Sequence, residues 1–360
     1  MIRALTLVLA LAPTALAQTF GVHAAKIHGP EGVVEDATLL IEDGKIRALV
    51  RGRDVPSGTP IVEHEGALTA GLVAAHSYAG LLAESHDDTR SVLPEARVAH
   101  AFDAGASDFR RALAAGVTTL VLAPQPATLV PGVTAVAKSA GGTIVRREAH
   151  LAIGLDARAQ RINRAPTSPA GMIAELEARF AKPEGAFASV AAGRLPVMIA
   201  AQQRDDIERA LAFATKHRLT GALLHSALAG ELLADVQRSG FSVVFAPLGI
   251  GVEQRAIESV VKIAKAGVPF AFALDLPYDA PDALRVSAAL AVRGGVEPAV
   301  ALRALTSDAA RIAGVQDRVG TLAKGMDADF VLWSGGDPLD LGSRPVAVYV
   351  DGVERLGGAR

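Results

Sequence analysis

The stretch LPVMIAAQQRDDIERALAFATKHRLTGALLHS, residues 195–226, contains two short apolar runs separated by a helical pattern. The runs at 195–202 and 219–226 are almost continuously apolar, as strands of a parallel sheet covered on both faces must be. The segment between them opens with Arg204, Asp205 and Asp206, and the two acids suit the N-terminal end of a helix. The stretch therefore predicts a strand–helix–strand unit.

The same unit recurs through the middle of the chain. Further apolar runs occur at GVTTLVLAP (116–124), FSVVFAPLG (241–249) and VPFAFALD (268–275), and several helical patterns between the runs end at glycine. This alternation over about 250 residues predicts an α/β fold with a TIM-like (β/α)₈ barrel. An open doubly wound sheet is the alternative, although no Gly-x-Gly-x-x-Gly follows a strand. Residues 124–145 predict a loop and a small hairpin inserted after a barrel strand.

The two ends of the chain have a different pattern. Residues 20–66 alternate around Asp43-Gly44, and the C-terminal stretch alternates around Asp351-Gly352, both of which are hairpin signals. Neither end has enough strands to close a core alone. We therefore expect a small composite β-sandwich from residues 18–66 plus 318–360, with the barrel at 67–317.

The first residues read MIRALTLVLALAPTALAQ. Arg3, an apolar run and Ala15-Leu16-Ala17 predict a signal peptide at residues 1–17. A membrane anchor is the alternative, but the run is well short of the roughly 20 residues that span a bilayer. We expect a periplasmic or secreted protein with no membrane attachment after cleavage.

The composition of the chain limits which classes of partner and which kinds of site are expected. The 360 residues include 36 Lys and Arg against 38 Asp and Glu, and this balance gives no indication of nucleic-acid binding. The absence of cysteine excludes disulfides, a thiol nucleophile and a cysteine-ligated zinc site. We expect a small-molecule ligand or substrate, and a homo-oligomer is compatible with this composition.

Three stretches resemble the amidohydrolase superfamily, and within it the exported, imidazolonepropionase-like branch. They are LTAGLVAAHSY (68–78), GVTTLVLAP (116–124) and the region 301–333, where Gly320, Gly325, Asp327 and Asp329 follow the family spacing. The resemblance implies a barrel with a composite sandwich. It also implies a divalent metal, Zn²⁺ or a similar ion, at the barrel mouth, which activates water for hydrolysis of C–N bonds in cyclic amide-like compounds.

The resemblance also assigns the metal ligands. His76 matches the first histidine of a His-x-His pair, His225 the histidine of the sixth strand, and Asp275 the aspartate of the eighth, which accepts the proton of the attacking water. Other ligand positions are substituted, by Tyr78, Ala200 and Gln202. Tyrosine is a poor ligand near neutral pH because its pKa is about 10. The resemblance therefore implies an eroded metal site.

Two interpretations of the site remain open. The three residues His76, His225 and Asp275 together bind a single metal, or His76 is a relic hydrogen-bonded to Tyr78 or Asp275. The loop after the first barrel strand either supplies substitute ligands or is a solvated acidic turn; its candidate residues are Glu84, His86, Asp87 and Asp88. We expect no tightly bound stoichiometric metal and weak or absent conventional hydrolase activity. The alternative is a pseudoenzyme that binds a small ligand or serves as a scaffold subunit for an active homologue.

Overall fold

A computed structural model describes residues 19–81, 87 and 89–357 of the chain. The predicted signal peptide and three residues of the acidic loop, Glu84, His86 and Asp88, lie outside these ranges. Among the described residues, no helix has the length and apolar character needed to cross a membrane.

The strands are numbered along the chain as β1 (Thr19–Gly29), β2 (Gly32–Glu42), β3 (Lys45–Arg51), β4 (Ile61–Ala70), β5 (Leu72–Ser77), β6 (Val117–Leu122), β7 (Gly132–Val133), β8 (Ala135–Lys138), β9 (Ile144–Arg146), β10 (Leu151–Gly154), β11 (Val197–Ala200), β12 (Gly221–Leu224), β13 (Ser242–Phe245), β14 (Phe270–Phe272), β15 (Phe330–Trp333), β16 (Pro345–Val350) and β17 (Val353–Leu356).

The helices are α1 (Ser107–Ala114), α2 (Pro169–Ala181), α3 (Gly185–Ala191), α4 (Arg204–Lys216), α5 (Leu233–Ser239), α6 (Gln254–Lys265), α7 (Ala283–Gly294), α8 (Pro298–Leu305) and α9 (Ser307–Ile312). Short 3₁₀ helices occur at Val98–His100, Ala157–Ala159 and Ala229–Leu232.

Strands from both ends of the chain share one hydrogen-bonded sheet, in the order β17-β16-β15-β4-β1-β2-β3. The antiparallel pair β4–β15 joins the two ends, with Thr69 opposite Val331. Phe330 stacks on Tyr349 in the core of this sheet, with the ring centroids 4.4 Å apart. Both predicted hairpins are confirmed, because β2 pairs with β3 and β16 with β17 around turns with positive φ.

The remaining strands close into a barrel. β10, β11, β12, β13 and β14 run parallel, as do β5 and β6. β14 meets β5 where the backbone N–H of Leu274 donates to the carbonyl of His76 at 2.9 Å. The interior is filled largely by alanine and valine side chains, such as Val73, Ala75 and Ala222. The predicted fold class, an α/β TIM-like barrel with a composite domain from both ends of the chain, is confirmed. The strands of that domain, predicted as a small β-sandwich, are hydrogen-bonded in one seven-stranded sheet.

One part of the barrel wall differs from the prediction. Residues 124–145 do contain a hairpin, formed by β8 and β9. However, β7 and β8 form a run at 132–138 that closes the gap between β6 and β10, pairing antiparallel with both. The prediction of a simple insertion was therefore wrong. Pro131 and Gly132 are loop signals in the sequence, but the residues that follow them are fully buried and complete the wall.

A buried lysine links the barrel to the terminal sheet. The Lys138 ammonium, 1% exposed, donates to carboxylates of Asp327 at 2.8 Å, Asp329 at 3.0 Å and Asp351 at 2.6 Å. Asp327 also binds Lys45 and Arg318. The most specific segment of the family resemblance therefore supplies two of the carboxylates that neutralise a buried cation, which explains its structural role.

Candidate functional site

Polar side chains converge at the carboxyl ends of four barrel strands. His76 lies at the end of β5, His225 directly follows β12, and Asp275 follows β14. Arg158 lies four residues beyond β10, in a 3₁₀ turn. The carboxyl ends of parallel barrel strands form the face on which barrel active sites are built. The structure therefore brings the three predicted candidates together on the expected face.

Asp275 lies between the two histidines. Its Oδ1 is 2.7 Å from Nδ1 of His76, and its Oδ2 is 2.9 Å from Nε2 of His225. The first contact is a hydrogen bond. The second is close but not aligned as one, so Nε2 of each histidine is buried without a hydrogen-bond partner among the described residues. The imidazoles meet edge to face, with centroids 5.2 Å apart.

Burial and charge together determine the protonation states. Burial acts to raise the pKa of Asp275, but the attraction of His225 and His76 outweighs it and holds this pKa well below its usual range. Burial lowers the pKa of His76 against the opposing effect of Asp275. Asp275 is therefore a carboxylate and His76 a neutral imidazole. The neutral ring donates its Nδ1 proton to Asp275 and keeps a lone pair on Nε2.

Arg158 extends this group, and sequence reasoning missed it. Its Nη1 donates to Nδ1 of His225 at 2.9 Å. Asp156 holds the guanidinium from the other side, with Nη2–Oδ2 at 2.7 Å and Nε–Oδ1 at 3.1 Å. The available signal was LAIGLDAR (151–158), a short apolar run followed by Asp156 and Arg158. An apolar run followed by polar residues is also the pattern at the strand ends that carry His225 and Asp275.

The positions predicted to be substituted ligands lie around the same centre. The Tyr78 ring lies edge-on to His76, with centroids 4.9 Å apart. Ala200 ends β11 and, with His76, lines a cavity of about 10 Å³. Gln202 is half-buried two residues beyond that strand. Asp87, the described residue of the acidic loop, is exposed and accepts hydrogen bonds from Thr89 instead of reaching the centre.

Comparisons with known proteins agree with the fold. The amidohydrolase family model matches residues 220–354. The crystal structure of an amidohydrolase from Thermotoga maritima MSB8 superposes with a TM-score of 0.85 at 26% identity, covering 94% of this chain and 100% of that one. Together these matches support the amidohydrolase superfamily as the family of this chain.

Other matches cover only part of the chain or share only its fold. Imidazolonepropionase from Aeromonas hydrophila is 35% identical over 108 residues, which are 29% of this chain and 25% of that protein. The match thus spans about a quarter of the curated relative. A. niger ochratoxinase shares the fold, with a TM-score of 0.60 at 16% identity and coverage of 95% and 96%.

Amidohydrolases generally depend on a divalent metal, and the centre contains the types of side chain that could bind one. Donor atoms of His76, His225 and Asp275 lie within 4.8 Å of one another. A metal-bound histidine normally donates its second ring N–H to an acceptor. In this chain, the second nitrogen of His225 faces a donor, the guanidinium of Arg158. Without His225, fewer than the three protein ligands typical of a catalytic zinc site remain. The residues present therefore do not fit the family's metal.

Proposed function

We propose that this protein is an exported hydrolase that acts weakly, without a stoichiometric metal, on C–N bonds of small cyclic amide-like compounds. The observation that carries the proposal is the 2.7 Å hydrogen bond between His76 Nδ1 and Asp275 Oδ1. This contact orients the imidazole and leaves Nε2 as a base, the arrangement used by histidine–carboxylate pairs in other hydrolases.

The small cavity beside His76 can hold the water molecule that this base would activate. A volume of about 10 Å³ has room for about one water molecule. A water held there would be the hydrogen-bond partner that Nε2 of His76 lacks. When the water attacks a carbonyl carbon, its proton passes to Nε2 of His76, and the imidazolium that forms is stabilised by Asp275. The imidazolium then returns this proton to the leaving nitrogen as the C–N bond breaks, which restores the neutral imidazole and leaves the carboxylic acid and the amine.

Tyr78 supplies a donor in place of a second histidine. Burial raises the pKa of its hydroxyl well above the usual range, with Asp275 adding to the shift. The phenol therefore stays protonated and can donate to the carbonyl oxygen on which negative charge develops. The second ligand position of the family has thus become a neutral donor beside the base.

The proposed class of substrate rests on the names of two relatives. Two curated relatives have the name imidazolonepropionase, so ring amides of that kind are the first compounds to test. These matches cover about a quarter of each relative, so we propose this substrate class as one to be tested.

A second candidate is a barrel that binds such a compound without hydrolysing it. His76 is only 1% exposed, and the cavity beside it holds little more than a water molecule. These two features weigh against turnover at His76, because a carbonyl carbon must reach the activated water for hydrolysis.

The two candidates separate in one experiment. Chelator-treated mature protein is incubated with a panel of cyclic amides and imides, while NMR follows turnover and calorimetry follows binding. We expect slow turnover that falls at least about 100-fold in His76→Gln, the scale of general-base catalysis. His100→Gln, at an exposed position, is the matched control. Binding without turnover supports the second candidate. Turnover that appears only after stoichiometric zinc is added contradicts both.

Export is tested separately by cell fractionation and N-terminal sequencing. A periplasmic or secreted product that begins at Gln18 supports it. A cytoplasmic product that retains Arg3 contradicts it.

A further inference from the structure

Arg158 and His225 form a contact that no metal-binding histidine should have. Nη1 of Arg158 lies 2.9 Å from Nδ1 of His225. We infer that Arg158 is the residue that keeps this centre closed to divalent metal, by holding His225 in the tautomer that cannot ligate. This inference rests on the proposed metal-free function, and it attributes the exclusion of metal to the side chain of Arg158.

The tautomer follows from the chemistry of the two groups. A guanidinium carries only donors and does not lose its proton in proteins. Nδ1 of His225 must therefore accept, which leaves the ring proton on Nε2. That atom lies 2.9 Å from Oδ2 of Asp275. A metal needs a lone pair there, because imidazole ligates through an unprotonated nitrogen. Both nitrogens of His225 are thus withheld from a metal.

Arg158 cannot easily leave this position. Asp156 holds it through Nε and Nη2, and the Asp156 side chain is only 2% exposed. Moving the guanidinium away would leave a buried carboxylate without its partner, which is costly. The arginine also places a fixed positive charge next to the imidazole, and this charge repels a dication.

Removing the arginine should therefore allow the centre to bind a divalent metal. Without a donor at Nδ1, the ring proton can move to that nitrogen and free Nε2. One ring nitrogen of each histidine and a carboxylate oxygen of Asp275, which lie within 4.8 Å of one another, then form a set of three ligands, the number typical of catalytic zinc sites.

The experiment compares zinc binding in three proteins. In the double variant Asp156→Asn/Arg158→Met, both charges are removed together, so that no buried carboxylate is left unpaired. Asp156→Asn alone retains the arginine donor and is the matched control. Each protein is incubated with Zn²⁺, dialysed and analysed for metal, while circular dichroism checks folding. We expect stoichiometric zinc in the double variant alone, and its loss when Asp275→Asn is added.

The nitrogen-15 signals of the histidine rings give a second readout that a purely structural role would not change. We expect His225 to carry its proton on Nε2 in the wild type and on Nδ1 in the zinc-loaded double variant. A folded double variant that takes up no zinc would overturn the inference. So would a wild-type protein that holds stoichiometric zinc with His225 protonated on Nδ1. Turnover does not enter these measurements, so failure of the proposed hydrolysis remains distinguishable.

Discussion

Asp275 accepts a 2.7 Å hydrogen bond from His76, although the two residues are 199 positions apart in the sequence. They meet because β14 closes the barrel against β5, where Leu274 bonds to the carbonyl of His76. The contact therefore depends on closure of the whole barrel. It places a carboxylate and a neutral imidazole side by side in a buried site.

Filling the cavity beside His76 should abolish hydrolysis. Ala200 lines the cavity, so Ala200→Val displaces the water that the base would activate. We expect turnover to fall about 100-fold or more and the free energy of unfolding to fall by about 1–3 kcal/mol, the usual cost of added volume in a packed core. Ala222→Val, at another buried barrel position, is the control for added volume. Unchanged turnover in folded Ala200→Val would contradict a role for this cavity.

Removing the buried cation at the barrel–sheet junction should be strongly destabilising. Lys138→Met leaves Asp327 and Asp329 buried without their main partner. We expect a loss of about 3–5 kcal/mol in the free energy of unfolding, measured by denaturant titration. Lys45→Met removes a half-exposed lysine from Asp327 and should cost about 1 kcal/mol or less. Similar losses of unfolding free energy in the two variants would argue against Lys138 as the main partner of the buried carboxylates.

His150 should make stability depend on pH. Burial lowers the pKa of His150 to about 4, although a hydrogen bond from Nε2 to the carbonyl of Ile312 opposes this. The unfolded chain takes up this proton near pH 6.5, but the folded protein does not until about pH 4. Stability is therefore fully present above pH 6.5 and is lost as pH falls between these values, by about 3 kcal/mol.

The variant His150→Gln tests this pH dependence. It retains a donor for the Ile312 carbonyl and should remove the corresponding part of the slope of stability against pH. His100→Gln, at an exposed histidine, should leave the slope unchanged. Equal slopes for the wild type and His150→Gln would show that His150 does not carry the effect.

The sequence predicts much of the barrel because its strands are apolar runs that end at polar residues. His225 and Asp275 could be recognised as neighbours since each directly follows such a run. The segment 132–138 could not be placed, because its direction depends on pairing with both β6 and β10, and β10 was not recognised as a strand. Local loop signals at Pro131 and Gly132 favoured an insertion instead.

Arg158 was missed for a related reason. The strand that positions the arginine, β10, was not among the predicted strands, because its short apolar run was not recognised. The contact with His225 joins residues 67 positions apart and has no local signal. The family resemblance indicated which ligands were substituted, but not that a guanidinium lies beside a retained one.

The most direct test of a centre closed to metal is the metal content of the purified mature protein. We expect no stoichiometric divalent metal by elemental analysis, because His76, Asp275 and His225 contact one another and Arg158. Stoichiometric metal in the wild-type protein that is lost in Asp275→Asn would contradict it, and would identify the centre as a working amidohydrolase metal site.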